Sequence, residues 1–343
     1  MRVAIAGAGW YGCHIANALI AQDMEVRVFE KNAGLFSEAS GNNQFRLHQG
    51  LHYARSASTR HQTRDGYHRF VERYPRLSRP VADNLYLVPR DASLMDFETY
   101  FSIMLSSGIS VERVGLEPWP FIDRNRFEGA IRCHERVVLT SQARTHFEQR
   151  LNGVVCLDRP IREIRQCESG VDVDGEHFDV FIDATWGALS PIARFFYEPT
   201  LLLYYRLRHG NAFPAITLVD GPLWSIYPTE VSGLFTLSSV THTPVGCFDH
   251  KADAYRALAS VGSADVHSKR ALMEAEVRSY LPQFDDLFEF VGPQRSIKTK
   301  PRGLSDNRAC GVERSGDVFS VISGKIDNIF FATDRILGSV IPA

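Results

Sequence analysis

The stretch NNQFRLHQGLHYARS, from Asn42 to Ser56, gathers two arginines, two histidines, a glycine and a tyrosine with no helix or strand period. Imidazoles titrate near neutrality, so His48 and His52 are candidate general bases. Lys325, in the late turn SGKIDN, offers a mobile positive charge. Arg302 and Arg314 carry the forked donors that suit a carboxylate or phosphate. Tyr204, Tyr205, Tyr227 and His242 complete the set that could meet a substrate. The Asn42–Ser56 stretch taken alone fits a nucleic-acid arm, a metal site or the wall of a cofactor pocket. A metal site needs three or four ligands, and His48 and His52 have no Cys or carboxylate at a set spacing. No metal is expected.

The 343-residue chain has net charge -2 and a pI near 6.6. A protein held to nucleic acid through many phosphates shows a basic excess, which the whole chain lacks. The expected partner is a small molecule. Hydrophobic residues make up 44% and charged residues 23%, the balance of an ordinary globular chain of about two domains. The six cysteines form no C-x-x-C pair, so reduced thiols in a cytoplasmic protein are expected. No apolar run reaches the ~18 residues of a membrane span. The sequence does not address oligomeric state.

The elements around these residues narrow the chemistry. Residues 2–6, RVAIA, predict a buried strand. Gly7-Ala8-Gly9-Trp10-Tyr11-Gly12 follows, then CHIANALIAQ with helical spacing, then a second strand, EVRVFE, ending in Glu30. Strand, G-x-G-x-x-G, helix, strand and acid together make a dinucleotide fingerprint. Gly7 permits the tight turn, Gly9 lets backbone approach a pyrophosphate, and Gly12 lets helix and strand pack closely. The helix start offers free N–H groups to phosphate, Trp10 among them, with Trp10 and Tyr11 packing. Glu30 lies where a carboxylate accepts from ribose hydroxyls, which argues against a 2′-phosphate and hence NADP. NAD and FAD both remain.

A simple NAD dehydrogenase would continue with βαβ units. Instead a Ser/Gly/Asn-rich loop, LFSEASGNNQ, intervenes. A polar, Arg-rich helix over 58–74 is expected to present a solvated face, followed by a strand over 84–90 and a helix near 94–106. Thr140 and Ser141 are expected to cap a further helix. Residues 160–187 read as three strands in a meander with Gly170 and Gly175 at the turns; the last, DVFIDATWG, ends in small residues suited to close approach. From about 200 to 300 the chain is strand-like and aromatic, interrupted by one or two helices. VFSVIS is a strand, GKIDN a turn, and IFFATDRILGSVI an amphipathic helix.

These features resemble the D-amino-acid oxidase-like FAD-dependent oxidoreductases over most of the chain. Four anchors carry the resemblance: AIAGAGWYGCHIA with Glu30, EASGNNQFRLHQGLHY, DVFIDATWG and VFSVISGKIDNIFFA. The second is similar to the H-G-G-L-R-Y segment of the glycerol-3-phosphate dehydrogenase branch, and the fourth to its G-G-K-x-T-T turn. Gly50, Gly324 and Lys325 match. Gln49 and His52 replace a Gly and an Arg, and Asp327 and Asn328 replace two Thr, which argues against glycerol 3-phosphate itself.

The resemblance implies an α/β fold: a Rossmann-like FAD-binding domain of glutathione-reductase type, and a substrate domain of mainly antiparallel sheet plus helices. The first is expected over 1–75, 136–198 and 310–343, the second over 76–135 and 199–309. FAD is the implied cofactor. Its implied contacts are Gly7, Gly9, Trp10, Tyr11, Gly12, Glu30, Lys31, Ser40, Gly41, Asn42, Asn43, Arg46, Leu47, His48, Ala184, Thr185, Trp186, Gly187, Gly324, Lys325, Ile326 and Asp327. Ser40 to Tyr53 would line the isoalloxazine, with Gly50 there for close approach and His48 a candidate for covalent attachment. The turn at Ser323–Asp327 would face the flavin pyrimidine edge with N–H donors and the charge of Lys325. Catalytic candidates are His48, His52, Lys325, Arg302 and Tyr227.

The leading expectation is an FAD-dependent oxidase or dehydrogenase that takes a hydride from a C–N or C–OH bond of a small polar substrate. A flavin monooxygenase shares the first fingerprint but usually carries a late G-D-A-x-H motif, and SGKIDN does not match it. A non-catalytic FAD- or NAD-binding protein is the remaining class.

Overall fold

The computed structural model of the chain describes residues 1–189, 195–302 and 307–341. Arg2–Ala6 is buried at every residue after Arg2, as a central parallel strand covered on both faces must be. It pairs in parallel with Glu25–Phe29 on one side and Val180–Asp183 on the other. The sheet runs Gly311–Ser315, Val318–Ile322, Val180–Asp183, Arg2–Ala6, Glu25–Phe29, Val155–Cys156, and only its first pair is antiparallel. Three distant stretches of chain therefore interleave in one layer. Gly311–Ser315 is an edge strand that closes a hairpin with Val318–Ile322.

The helices are α1 (Trp10–Ile20), α2 (Ala57–Arg73), α3 (Phe97–Ser106), α4 (Thr140–Arg150), α5 (Lys251–Ser260), α6 (Ser263–Arg278), α7 (Phe284–Leu287) and α8 (Ile329–Val340). Side chains of α1, α2, α4 and α8 share one core with the parallel sheet. Trp10 is its hub, stacked on Phe36 at 5.0 Å and edge-on to Phe70, Tyr74 and Phe147. α2 is not the solvated face its charges suggested. Thr59, Arg60, Thr63, Gly66, Tyr67 and Phe70 are buried, and a Cβ on Gly66 would lie 1.9 Å from the Asp327 carbonyl oxygen. The helix needs glycine there to meet the late turn backbone to backbone.

The second layer is an eight-stranded sheet ordered Phe288–Pro301, Phe195–Leu207, Leu234–Ser239, Trp224–Pro228, Ala215–Leu218, Asn84–Pro89, Phe127–Cys133, Val111–Val114. It is antiparallel except where Ala215–Leu218 meets Asn84–Pro89. α6, α7 and the turn between them bury Met273, Val277, Leu281 and Phe284 against it. A small antiparallel sheet of Arg46–Leu47, Arg136–Val138 and Ser78–Pro80 joins the two bodies. The parallel sheet uses strands from 1–75, 136–198 and 310–343. Phe195–Leu207 starts ahead of the boundary expected at 198.

Two local expectations are corrected. The third strand of the 160–187 meander breaks in two. Glu176–Phe178 pairs antiparallel with Val171–Val173, while Val180–Asp183 turns to join Arg2–Ala6 in parallel. The N-cap of α4 is Leu139, not Thr140 or Ser141. An acceptor comes from far away instead, since the Ser141 N–H donates to the Glu230 carboxylate at 3.0 Å. Among the described residues no helix is long and apolar enough to cross a membrane, and no group of three or more side chains could hold a metal ion.

Candidate active site

A cavity of about 1260 Å³ runs between the two bodies, from Glu30 past the Gly7–Gly9 turn and the Ser40–Asn43 loop to His48 and Lys325, and on into a chamber under the eight-stranded sheet. At its first end the main chain is fixed by a few side chains. Glu30, 6% exposed, accepts from the Ala8 N–H at 2.8 Å and from Asn32 N and Nδ2, so its carboxylate holds the glycine turn. The Trp10 N–H, expected to be free for phosphate, donates to Ser40 Oγ at 3.1 Å. A Cβ on Gly9 would stand 2.6 Å from that hydroxyl, and one on Gly12 would stand 1.8 Å from the Gly7 carbonyl oxygen. Asp183 accepts from Thr185 N at 2.8 Å and shapes the Ala184–Gly187 turn beside Gly7. Asn42 and Asn43 use their side-chain amides to close their own loop.

The late turn is tied into this wall. Tyr11 donates its hydroxyl to the Lys325 carbonyl at 2.5 Å, linking the start of α1 to SGKIDN. The Trp186 ring covers Gly324 so closely that a Cβ would lie 2.3 Å from it. Lys325 Nζ lies 3.1 Å from His48 Nε2 and 4.2 Å above the Tyr53 ring. Asp327 is 1% exposed, neither carboxylate oxygen has a hydrogen-bond partner, and burial raises its pKa to about 7. Burial, with the charges of Lys325 and Arg46, holds His48 well below the usual histidine range, so the ring is neutral near pH 7.

Arg46, His52 and Thr217 line the chamber, and a buried network that includes Tyr86 and Glu135 backs them. Arg46 Nη1 donates to His52 Nε2 at 2.9 Å, Tyr86 Oη at 3.1 Å and Thr217 Oγ1 at 2.7 Å, and its guanidinium lies 4.0 Å over the Tyr227 ring. His52 Nδ1 meets Tyr86 Oη at 3.1 Å, and Tyr86 donates to Glu135, a carboxyl that is 1% exposed and raised in pKa by burial. Asn84 Nδ2 and the Gln49 main-chain N–H also donate to Glu135. With Nε2 accepting from Arg46, neutral His52 carries its proton on Nδ1. Arg46 Nε and Nη2 are buried without a partner.

The sequence-derived residues divide as follows. Gly7, Gly9, Trp10, Tyr11, Glu30, Lys31, Ser40, Asn42, Asn43, Arg46, His48, His52, Ala184, Thr185, Trp186, Arg302, Gly324, Lys325, Ile326 and Asp327 line the cavity. Gly12, Gly41, Leu47, Gly187 and Tyr227 do not. Gly41 is pressed against the Phe36 carbonyl, where a Cβ would lie at 2.1 Å. Leu47 is fully buried in the core. Gly187 offers its carbonyl to Tyr197. Tyr227 is sealed under Arg46 and donates to the Arg136 carbonyl at 3.2 Å.

Gly50 is required by its left-handed φ of +99° and its approach to α2, where a Cβ would stand 3.0 Å from Arg60 Cα; it does not line the cavity. Arg302 pairs with Asp249 at the exposed rim. Arg314 lies in the edge strand and donates to the Gly316 carbonyl, away from the cavity. Tyr205 is engaged by Glu274 and Tyr204 by Gln294, both outside the cavity lining, and His242 stands beside Glu276. Glu135, Tyr86, Thr217 and Lys298 were missed. Lys298 sits in the cavity wall, and burial lowers its pKa to about 8. Nothing near any of them in sequence marks it.

Residues 2–305 match the family described as FAD dependent oxidoreductase. The chain belongs to this FAD-dependent oxidoreductase family. Within its reach lie FAD-dependent monooxygenase FPY4 of Fusarium mangiferae, 50% identical over 98% of this chain and 90% of that protein, and FAD-dependent monooxygenase kojA of Aspergillus flavus, 25% identical over 98% and 85%. Among solved structures, L-proline dehydrogenase from P. horikoshii has the same fold, with a TM-score of 0.75 over 98% of this chain and 93% of its own at 12% identity. The cavity fits the family's cofactor. Its glycine turn is bare of side chains, Glu30 stands at the strand end, and its volume exceeds the ~1,000 Å³ upper range of single-ligand pockets, leaving room for a dinucleotide and a substrate.

Proposed function

We propose that this FAD-dependent oxidoreductase oxidises a C–OH or C–N bond of a small polar substrate held in the chamber that Arg46, His52 and Thr217 line and that Tyr86 and Glu135 back. That buried network, at the far end of a cleft whose near end suits a dinucleotide, is the observation that carries the reading. Bound FAD supplies a hydride acceptor at N5 and relays the electrons onward. Gly7, Gly9, Glu30, Ser40 and the turns at Ala184 and Gly324 hold it.

The chain's own residues bind the substrate and move its proton. His52 is spent on positioning Arg46, and Arg46 keeps Nε and Nη2 for a carboxylate, carbonyl or hydroxyl oxygen. The Gly50 N–H lies 3.1 Å from His48 Nδ1, and His48 Nε2 lies 3.1 Å from Lys325 Nζ. The neutral His48 ring has a nitrogen lone pair at the edge of the chamber and receives the O–H or N–H proton as the hydride departs. Lys325 Nζ lies 4.2 Å above the Tyr53 ring beside it.

The name of FPY4 favours a second reading, hydroxylation, in which electrons come from a separate reductant. Anaerobic mixing separates the two. A panel of amines, amino acids, hydroxy acids and sugars should contain compounds that bleach the flavin unaided. Bleaching only by NADH or NADPH, with an oxygen-18 atom from dioxygen appearing in the product, would replace oxidation with hydroxylation.

A further inference from the structure

The nucleotide end of the cleft has a wall that the glycine fingerprint does not supply. α5 packs through Ala254, Tyr255 and Leu258 on the strands Phe195–Leu207 and Phe288–Pro301 of the second body, yet its first turn reaches the cofactor cavity. Tyr255 donates to Glu38 at 2.7 Å and accepts from Lys31 Nζ at 2.9 Å, and Lys31 pairs with Glu38 at 2.6 Å. Glu38 is thus engaged twice by others. One turn earlier on the same helix, half-buried Lys251 reaches in, and its hydrogen bond among the described residues is to the Thr185 carbonyl at 3.1 Å.

An ammonium has three donors, and one neutral carbonyl leaves it poorly compensated in a desolvated position. Burial accordingly lowers the Lys251 pKa to about 8. The carbonyl it uses belongs to the turn that presses on Gly7; a Cβ there would stand 3.1 Å from the Ala184 carbonyl oxygen. Lys251 therefore faces the space into which the N-terminus of α1 also points, where a diphosphate is favoured.

We propose that Lys251 binds the pyrophosphate of FAD, so that α5 of the second body closes the nucleotide site across the cleft. A charge-assisted contact of this kind is worth about a tenfold to hundredfold change in affinity. The test uses flavin-depleted full-length protein, titrated with FAD by flavin fluorescence and with ADP and adenosine by calorimetry. Lys251→Met should weaken FAD and ADP by about 10- to 100-fold, leave adenosine within about twofold, and flatten the salt dependence of FAD binding. Lys251→Arg should restore most of the affinity, and thermal melts of both variants report whether the fold is kept. Equal losses for ADP and adenosine, or no loss for either, would overturn the proposal and reduce Lys251 to a tie between α5 and the Thr185 turn.

Discussion

The two ends of the cavity are built on opposite plans. At the nucleotide end, Gly7, Gly9, Trp10 and Glu30 lie within one strand–helix–strand unit, and their contacts are made to main-chain N–H groups. In the chamber wall and behind it, Arg46 and His52 come from one loop, Tyr86, Glu135 and Thr217 from three other segments, and they bond side chain to side chain. The first end depends on backbone conformation and on the absence of side chains. The second depends on charges that are tolerable only while paired. Damage at one end should therefore leave the other end's task intact.

Gly9→Val is the sharpest way to break that separation, because the new side chain would strike Ser40 and fill the space a pyrophosphate needs. FAD affinity should fall more than about a hundredfold while the protein remains folded. The flavin-to-protein absorbance ratio and a thermal melt check both halves. Arg46→Met attacks the other end. It should retain FAD within about threefold but cost roughly a thousandfold in turnover, and about 3 kcal/mol in stability because buried Glu135 loses its nearest cation. Should Arg46→Met instead purify colourless, the two ends would not be independent.

The same contrast decides what the sequence could reveal. The fingerprint from Arg2 to Glu30 is contiguous, and its chemistry follows from glycine sterics and helix-end N–H groups, so strand, turn, helix and acid are all readable in order. SGKIDN is readable as a turn before a helix, and the structure ties it to α1 through Tyr11. Glu135 is not readable. It sits in CHERVV like any surface glutamate, and its burial depends on Tyr86 and Asn84 arriving about fifty residues away in the chain. α2 misleads for a related reason. Arg60 and Arg64 look solvated, but their guanidinium groups satisfy carbonyls at Tyr53, Ala54 and Ser107, which lets the helix bury its flank.

Asp327 sharpens the comparison with a pH signature at the junction of the two ends. Its folded pKa of about 7 lies above the unfolded value near 3.8. Below the unfolded value the carboxyl is protonated in both states and the shift costs nothing. As pH rises toward 7, the unfolded chain ionises and the folded one resists, so stability falls, and above 7 the cost is complete. Asp327→Asn cannot titrate. Its melting temperature should match wild type near pH 4 and exceed it at pH 8, by the equivalent of about 2–4 kcal/mol. A constant difference across that range would mean that Asp327 is already ionised in the folded protein.

The smallest effect is expected at Ser40, and it tests whether the nucleotide end is finished before its ligand arrives. A hydroxyl can accept from the Trp10 N–H and still donate its own proton to a phosphate oxygen. Ser40→Ala removes both contacts. The protein without flavin should lose about 1 kcal/mol, the usual worth of a helix-start acceptor. FAD affinity should also fall, by about three- to tenfold. Ser40→Thr, which keeps the hydroxyl, should stay close to wild type in both. If affinity were to rise in Ser40→Ala, the hydroxyl would be competing with phosphate for the Trp10 N–H, and the backbone at this end would be completed by FAD rather than by the chain.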